Sequence, residues 1–196
     1  MDLVVLTLTF GAIFVVELPD KTFIATLVLA TKYRPLHVWI GVGLAFLVQT
    51  LIAVALGTAA GRLPTDLVRG AALVMFLIGA VLLFRQARSH AAESGEEYAA
   101  KARDVSGLKS VGASFLVLFA AEWGDLSQLL TLSLVARYDD PVSVFVGAWG
   151  ALLAVSGLAV LAGRALLERV PVTVLHYAGA GVCLLLAGLT AYELLV

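Results

Sequence analysis

Apolar residues in this chain are gathered into long runs instead of alternating with polar ones. Six such runs cover 3–31, 36–60, 67–85, 111–136, 142–163 and 172–195, each close to or above the roughly 20 residues a helix needs to cross a bilayer. Most connections are short and carry proline, glycine or charge, as in KYRP at 32–35, GRLPTD at 61–66, RYDDP at 137–141 and RALLERVP at 164–171. The stretch 86–110 differs, being polar, rich in alanine and mixed in charge, which predicts a solvated linker. The pattern predicts an all-α integral membrane protein of six transmembrane helices.

Composition agrees with the runs. The 196 residues are 61% hydrophobic and 14% charged, against about 45–50% and 25% in soluble domains, and the mean hydropathy is +1.01. A net charge of −1 argues against nucleic acid as a partner and leaves the lipid bilayer as the surroundings. Cys183 is the only cysteine, so an internal disulfide is excluded, and inside an apolar run it reads as a small hydrophobe. Met1-Asp2-Leu3 lacks the basic start of a cleavable signal, so the first run is read as a retained helix.

The linker separates two similar halves. At an offset of 105, Phe14, Glu17, Asp20, Thr22, Thr26 and Tyr33 align with Phe119, Glu122, Asp125, Ser127, Thr131 and Tyr138. At an offset of 106, Gly41 and Gly57 align with Gly147 and Gly163. Three spans per half is an odd number, so the second half is expected to enter the membrane upside down relative to the first, as in transporters with inverted repeats. The expected units are residues 1–86, a linker 87–110, and residues 111–196. Of 13 lysines and arginines, nine fall on the linker's side of the membrane and three on the other, with Lys21 inside. The positive-inside rule then puts the linker in the cytoplasm and both termini outside, in a bacterial-type inner membrane.

Two strings carry the candidate chemistry: ELPDKT at 17–22 and EWGDLS at 122–127. By span position, Glu17 and Glu122 lie about 15–20 Å deep. Carboxylates at such depth are costly and mark functional sites. A spacing of three residues predicts that Glu17 and Asp20 share one helix face, and likewise Glu122 and Asp125. Four facing carboxylates cannot all stay ionised and empty; they need cations, protons, or an exchange between them. The hydroxyls of Thr22 and Ser127 and the amide of Gln128 are further candidate ligands for a metal. Gln49 and Thr50 are polar within the second run, where they either support the site or make interhelical hydrogen bonds. Lys21, four residues after Glu17, either pairs with it or takes part in proton coupling. Pro19 cannot donate a backbone hydrogen bond, so it either frees the Val15 carbonyl as a ligand or only kinks the helix; Gly124 permits similar loosening. Trp123 either walls the site or packs in the core.

With neither histidine nor cysteine in the motifs, Zn²⁺ and Cu⁺ are disfavoured. An all-oxygen shell suits Ca²⁺ or Mn²⁺ better than Mg²⁺, which dehydrates reluctantly. His37, His90 and His176 fall at span ends or in the linker, and Trp39, Trp149 and the tyrosines near span ends are expected to anchor at the membrane interface.

At these two motifs the chain resembles the cation/proton exchangers once catalogued as uncharacterised protein family 16, the Gdt-type exchangers of the cation/Ca²⁺ exchanger superfamily. That family carries two copies of E-x-G-D-(K/R)-(T/S) in two three-helix halves, and the likeness covers nearly the whole chain. The resemblance implies that Glu17, Asp20, Glu122 and Asp125 are the cation-binding acids, with Thr22 and Ser127 beside them, and that Mn²⁺ or Ca²⁺ leaves the cytosol against protons. Two positions depart from the pattern: Pro19 replaces glycine, and Leu126 replaces a basic residue. The site is thereby one charge more negative.

The expected function is secondary transport of Mn²⁺, or Ca²⁺, in exchange for protons, with no permanently bound cofactor and no enzymatic activity. Export of a small organic cation is the first alternative, and would call for aromatic walls. The second is an intramembrane aspartyl protease, because Gly124-Asp125 is similar to a GxGD-type catalytic aspartate with Asp20 as its partner. Six spans are enough to make a unit alone, and a homodimer is the alternative expectation, since dimers are common among small transporters.

Overall fold

A computed structural model describes residues 1–18, 20–88, 105–169 and 172–195. Pro19, the side chain of Lys21, His90 and most of the 87–110 linker lie outside the described residues. Among the described residues there are eight helices and no strand. They are α1 (Leu3–Glu17), α2 (Lys21–Lys32), α3 (Pro35–Ala60), α4 (Thr65–Arg88), α5 (Lys109–Ala121), α6 (Leu126–Tyr138), α7 (Pro141–Arg169) and α8 (Val172–Leu195).

Among the described residues, three helical stretches are long and apolar enough to cross a membrane alone: Pro35–Ala60, Asp66–Arg85 and Pro141–Leu161. The first and fourth expected spans are not continuous. Each is a pair of helices bent at the acidic motif, by 70° between α1 and α2 and by 72° between α5 and α6. Counting each pair as one span brings the number to five. The 24-residue α8 occupies the sixth apolar run, with the limits expected from the sequence.

α3 and α7 form the centre. α3 packs against α5, α6 and α7, α7 packs against α1, α2 and α3, and α4 and α8 pack mainly on each other. Glycines make the central contacts possible. A Cβ on Gly41 would lie 2.3 Å from the Val111 carbonyl oxygen and 2.9 Å from Ser114 Cβ. A Cβ on Gly147 would lie 2.6 Å from the Leu6 carbonyl oxygen and 3.0 Å from Thr9 Cβ. Where lipid is as apolar as the side chains, such close backbone approach is a principal source of helix association. Trp39 Nε1 donates to the Leu153 carbonyl and Trp149 Nε1 to the Gly43 carbonyl, each at 3.1 Å. Both indoles therefore bridge α3 and α7, whereas the sequence placed them as interfacial anchors. Tyr33, also expected at the interface, is buried, and so is His176 near its span end.

α7 continues to Arg169, six residues beyond its expected end at 163. Its sequence there, RALLER, is made of good helix formers, so the charges end the apolar run without ending the helix. Local caps fix the other ends. Asp2 Oδ1 accepts from Val4 N at 2.8 Å and starts α1. Asp140 accepts from Ser143 N and Ser143 Oγ at the start of α7, and from Asp2 N at 3.0 Å. One carboxylate thus ties the beginnings of α1 and α7 together outside the apolar segments. The Ser143 hydroxyl first, then the Ser143 and Asp2 amides, hold Asp140 at about 2, below its ordinary 3.8.

Two outcomes follow. Gly41→Val and Gly147→Val are each expected to lower stability by about 1–3 kcal/mol through overpacking, read as a lower thermal unfolding midpoint, whereas Gly11→Ala, with nothing within 4 Å of an added Cβ, is expected to be tolerated. Because folding depresses Asp140, its stabilisation is present above the ordinary value and lost as pH falls through the window from 3.8 to about 2. Asp140→Asn should flatten that part of an acid-denaturation curve.

Candidate metal centre

The two acidic motifs meet where the helices break. Glu17 is the last residue of α1, and Asp20 is the N-cap of α2. Glu122 is the C-cap of α5, and Asp125 is the N-cap of α6. The expectation that each pair shares one face of a continuous helix is therefore corrected: a break lies within each pair. At the second break Gly124 has φ +75°, a left-handed conformation that glycine adopts without steric cost. Its amide donates to Gln128 Oε1 at 2.8 Å.

The breaks bring all four acids together. One carboxylate oxygen from each of Glu17, Asp20, Glu122 and Asp125 can be chosen so that all lie within 4.8 Å of one another. Glu17 and Glu122 are only 1% and 2% exposed. None of their four carboxylate oxygens has a hydrogen-bond partner among the described residues. Thr22 and Ser127 lie beside Glu17, and Thr22 also lies beside Glu122, but without hydrogen-bond geometry to them. Neither Asp20 nor Asp125 caps its helix through its side chain.

Such an arrangement is poorly suited to staying empty and ionised. Buried polar groups ordinarily find partners, and leaving a charged one without any is costly. Multiple carboxylate oxygens converging within a few ångströms are the donor set of a hard divalent cation. The backbone is mixed here: α1 and α5 end and α2 and α6 begin, so negative and positive helix ends meet, and the Glu17 and Glu122 carbonyls accept from Asp20 N and Asp125 N at 3.1 and 3.2 Å. A cavity of about 170 Å³, lined among others by Val16, Met75, Leu83, Leu126 and Leu129, reaches Asp20 and Asp125.

The other candidate site residues are placed as follows. Thr22 and Ser127 lie beside the glutamates. Gln128 sits next to it, with its amide oxygen engaged by the Gly124 turn. Gln49 makes an interhelical hydrogen bond, Nε2 to the Phe119 carbonyl at 3.0 Å, and so touches the end of α5. Thr50 is buried beside it in α3. Trp123 is 61% exposed and tilted against Phe119, so it neither walls the centre nor packs in the core. Leu126, standing where a base was expected from the resemblance, lies against Gly79 of α4.

A polytopic helical membrane protein with a buried cluster of carboxylates has the features of a transporter of cations. Comparison with known proteins makes this specific. Residues 5–91 and 110–195 match the family described as divalent cation/proton antiporter GDT1, and the chain belongs to that family. It is therefore a transporter of divalent cations and not an enzyme, which removes the protease alternative. The chain is 30% identical over 191 residues to the Vibrio cholerae protein named "Putative manganese exporter", covering 96% of this chain and 90% of that one. It is 33% identical over 176 residues to GDT1-like protein sll0615 of Synechocystis, covering 78% and 82% respectively. Protein PAM71 of Arabidopsis thaliana chloroplasts is 30% identical over 209 residues, which is 94% of this chain and 56% of that one. No solved structure matches.

Neutralising one acid relieves the repulsion among the four carboxylates. Glu122→Gln is expected to raise the thermal unfolding midpoint measured in a chelator, read against the parent at the same pH.

Proposed function

We propose that this chain exports Mn²⁺ from the cytosol in exchange for protons, with Ca²⁺ as the second candidate, through the four-carboxylate centre. The observation that carries the reading is the convergence of Glu17, Asp20, Glu122 and Asp125 within 4.8 Å at two helix breaks. The cation binds to these carboxylates, with Thr22 and Ser127 as neutral oxygen donors. When it leaves, the centre cannot keep its charge in a low-dielectric interior, and protons take its place. Protonation in turn weakens the ligand set, so cation and proton occupy the same acids in alternation. The family membership supports the class, and the name of the Vibrio relative supports manganese. The oxygen-only ligand set is compatible with both ions. Organic-cation export is less favoured, because the one aromatic residue within either motif, Trp123, faces away from the centre.

The architecture of this reading is six spans in two inverted halves, 1–86 and 111–196, joined by a cytoplasmic linker with both termini outside. Reciprocal packing supports it. Gly41 meets Val111, Ser114 and Phe115, and Gly147 meets Leu6, Thr9 and Phe10, which are the same positions with the halves exchanged. The stacked pair Phe10–Phe14 likewise has its counterpart in Phe115–Phe119. Rocking of one half against the other would expose the centre to each side in turn.

The test is metal-dependent pH change in proteoliposomes containing a trapped pH dye, with Mn²⁺, Ca²⁺, Mg²⁺ and Zn²⁺ compared. Mn²⁺ is expected to drive proton movement in the opposite direction, with Ca²⁺ weaker and Mg²⁺ and Zn²⁺ near background. Glu17→Gln, Asp20→Asn, Glu122→Gln and Asp125→Asn should each abolish it. Exchange retained in all four variants, or a parent that responds to none of the metals, would overturn the reading.

A further inference from the structure

A hydroxyl that binds a cation has a hydrogen to dispose of. Its oxygen carries one O–H donor and two lone pairs, so when a lone pair faces a positive ion the hydrogen points away and needs its own acceptor. Within a helix that acceptor is ordinarily a carbonyl one turn back. Thr7, Thr58, Thr131, Ser133 and Thr190 each donate in this way to the carbonyl four residues before them, at 2.7–2.9 Å. Thr22 has no such carbonyl in its own helix. It is the second residue of α2, and the residue four before it, Leu18, caps α1 on the far side of the break.

Thr22 and Thr26 lie one turn apart on one face of α2. They are 1% and 0% exposed, and neither hydroxyl has a hydrogen-bond partner. Among the described residues no other two hydroxyls one turn apart are left so. Thr9 and Ser114 are also unpartnered, but each sits in a glycine contact between helices, against Gly147 and Gly41, with no unpartnered side chain one turn away on its own helix. Thr26 also differs from its counterpart. Thr131 donates to the Ser127 carbonyl, whereas Thr26 makes no such bond to the Thr22 carbonyl. Leaving a buried hydroxyl without a partner is costly, and here two are left together, one of them beside both Glu17 and Glu122.

We infer that Thr26 is a positioning residue of the cation centre: it accepts the hydrogen of Thr22 when the Thr22 oxygen faces the bound ion, and turns its own hydrogen to the Thr22 carbonyl. This rests on the proposed function and deepens it by naming what lets Thr22 act as a neutral ligand. Distance decides between this role and direct ligation. Four residues advance about 6 Å along a helix, whereas a divalent ion holds its oxygens at about 2.0–2.6 Å, so an ion held by Thr22 and the carboxylates is beyond the reach of Thr26. A hydrogen bond between the two threonines is within reach. Side chains on a helix lean toward its N-terminus, which brings Thr26 back toward Thr22 with Cβ atoms about 5–6 Å apart. Threonine in a helix has two accessible χ1 rotamers, so each hydroxyl turns without movement of the backbone.

The experiment is equilibrium Mn²⁺ binding to the purified protein, with the unfolding midpoint of each variant measured in a chelator. Thr26→Val keeps the side-chain shape and removes the hydroxyl. It is expected to weaken Mn²⁺ binding by about fivefold or more, the equivalent of one lost hydrogen bond, while its midpoint in chelator stays level or rises because an unpartnered polar group has gone. Thr26→Ser is expected to bind within about twofold of the parent. Thr9→Val, which removes an equally buried and unpartnered hydroxyl from α1, should do the same. Unchanged binding in Thr26→Val, equal weakening in Thr9→Val or no recovery in Thr26→Ser overturns the inference. So does a weakened Thr26→Val whose midpoint in chelator has fallen, or one that slows exchange at unchanged affinity. If Thr26→Val does not fold, Thr26→Ala read against Thr26→Ser decides by binding alone. A parent that binds Mn²⁺ without moving protons removes the exchange reading and leaves the inference to stand on binding; a parent that binds none removes both.

Discussion

Buried charge inside an apolar bundle is the constraint on which this structure turns. Glu17 and Glu122 are almost fully enclosed, and a continuous helix through either motif would keep its carboxylates on its own surface while its backbone stayed self-satisfied. Breaking both helices lets α1 and α5 end at the place where α2 and α6 begin, so the carboxylates of both motifs meet. An interrupted helix is acceptable at membrane depth only where other protein surrounds it. Here α3 and α7 provide that surround, and the close packing they need comes from glycines at Gly41 and Gly147.

Symmetry and asymmetry meet around the centre. Part of the packing is reciprocal: the contacts of Gly41 and Gly147 and the stacked phenylalanine pairs recur at matching positions. The hydroxyls one turn beyond the motifs are not, since Thr131 donates to the Ser127 carbonyl and Thr26 has no partner.

Much of this was legible from the chain itself. Apolar runs located the helices, and the two ends of α8 agreed to the residue. The acids declared themselves because the cost of burying them is large and few functions require it. The breaks were harder. Pro19 and Gly124 signal loosening, but a proline or glycine inside an apolar run can as readily kink a helix as end it, so the sequence placed each acidic pair on one helical face. The four acids come together through the breaks and not through a shared helical face. Charges at 164–169 suggested a loop, yet arginine, leucine and alanine continue a helix comfortably once it has left the apolar layer. Trp39 and Trp149 misled in another way: tryptophan near a span end satisfies its N–H equally well in headgroups or on a neighbouring helix. The pairing of Gln49 with the Phe119 carbonyl required knowing which helix lies beside α5, and no local pattern carries that information.

The indole bonds across α3 and α7 have a practical consequence. Tryptophan emission responds to the polarity around the ring and to its hydrogen bonding, and the chain has three tryptophans. Two of them clamp the central seam from opposite sides, while Trp123 is exposed. Replacing Trp123 with phenylalanine would leave a protein whose tryptophan emission comes entirely from that seam, an optical gauge of its separation that needs no attached dye.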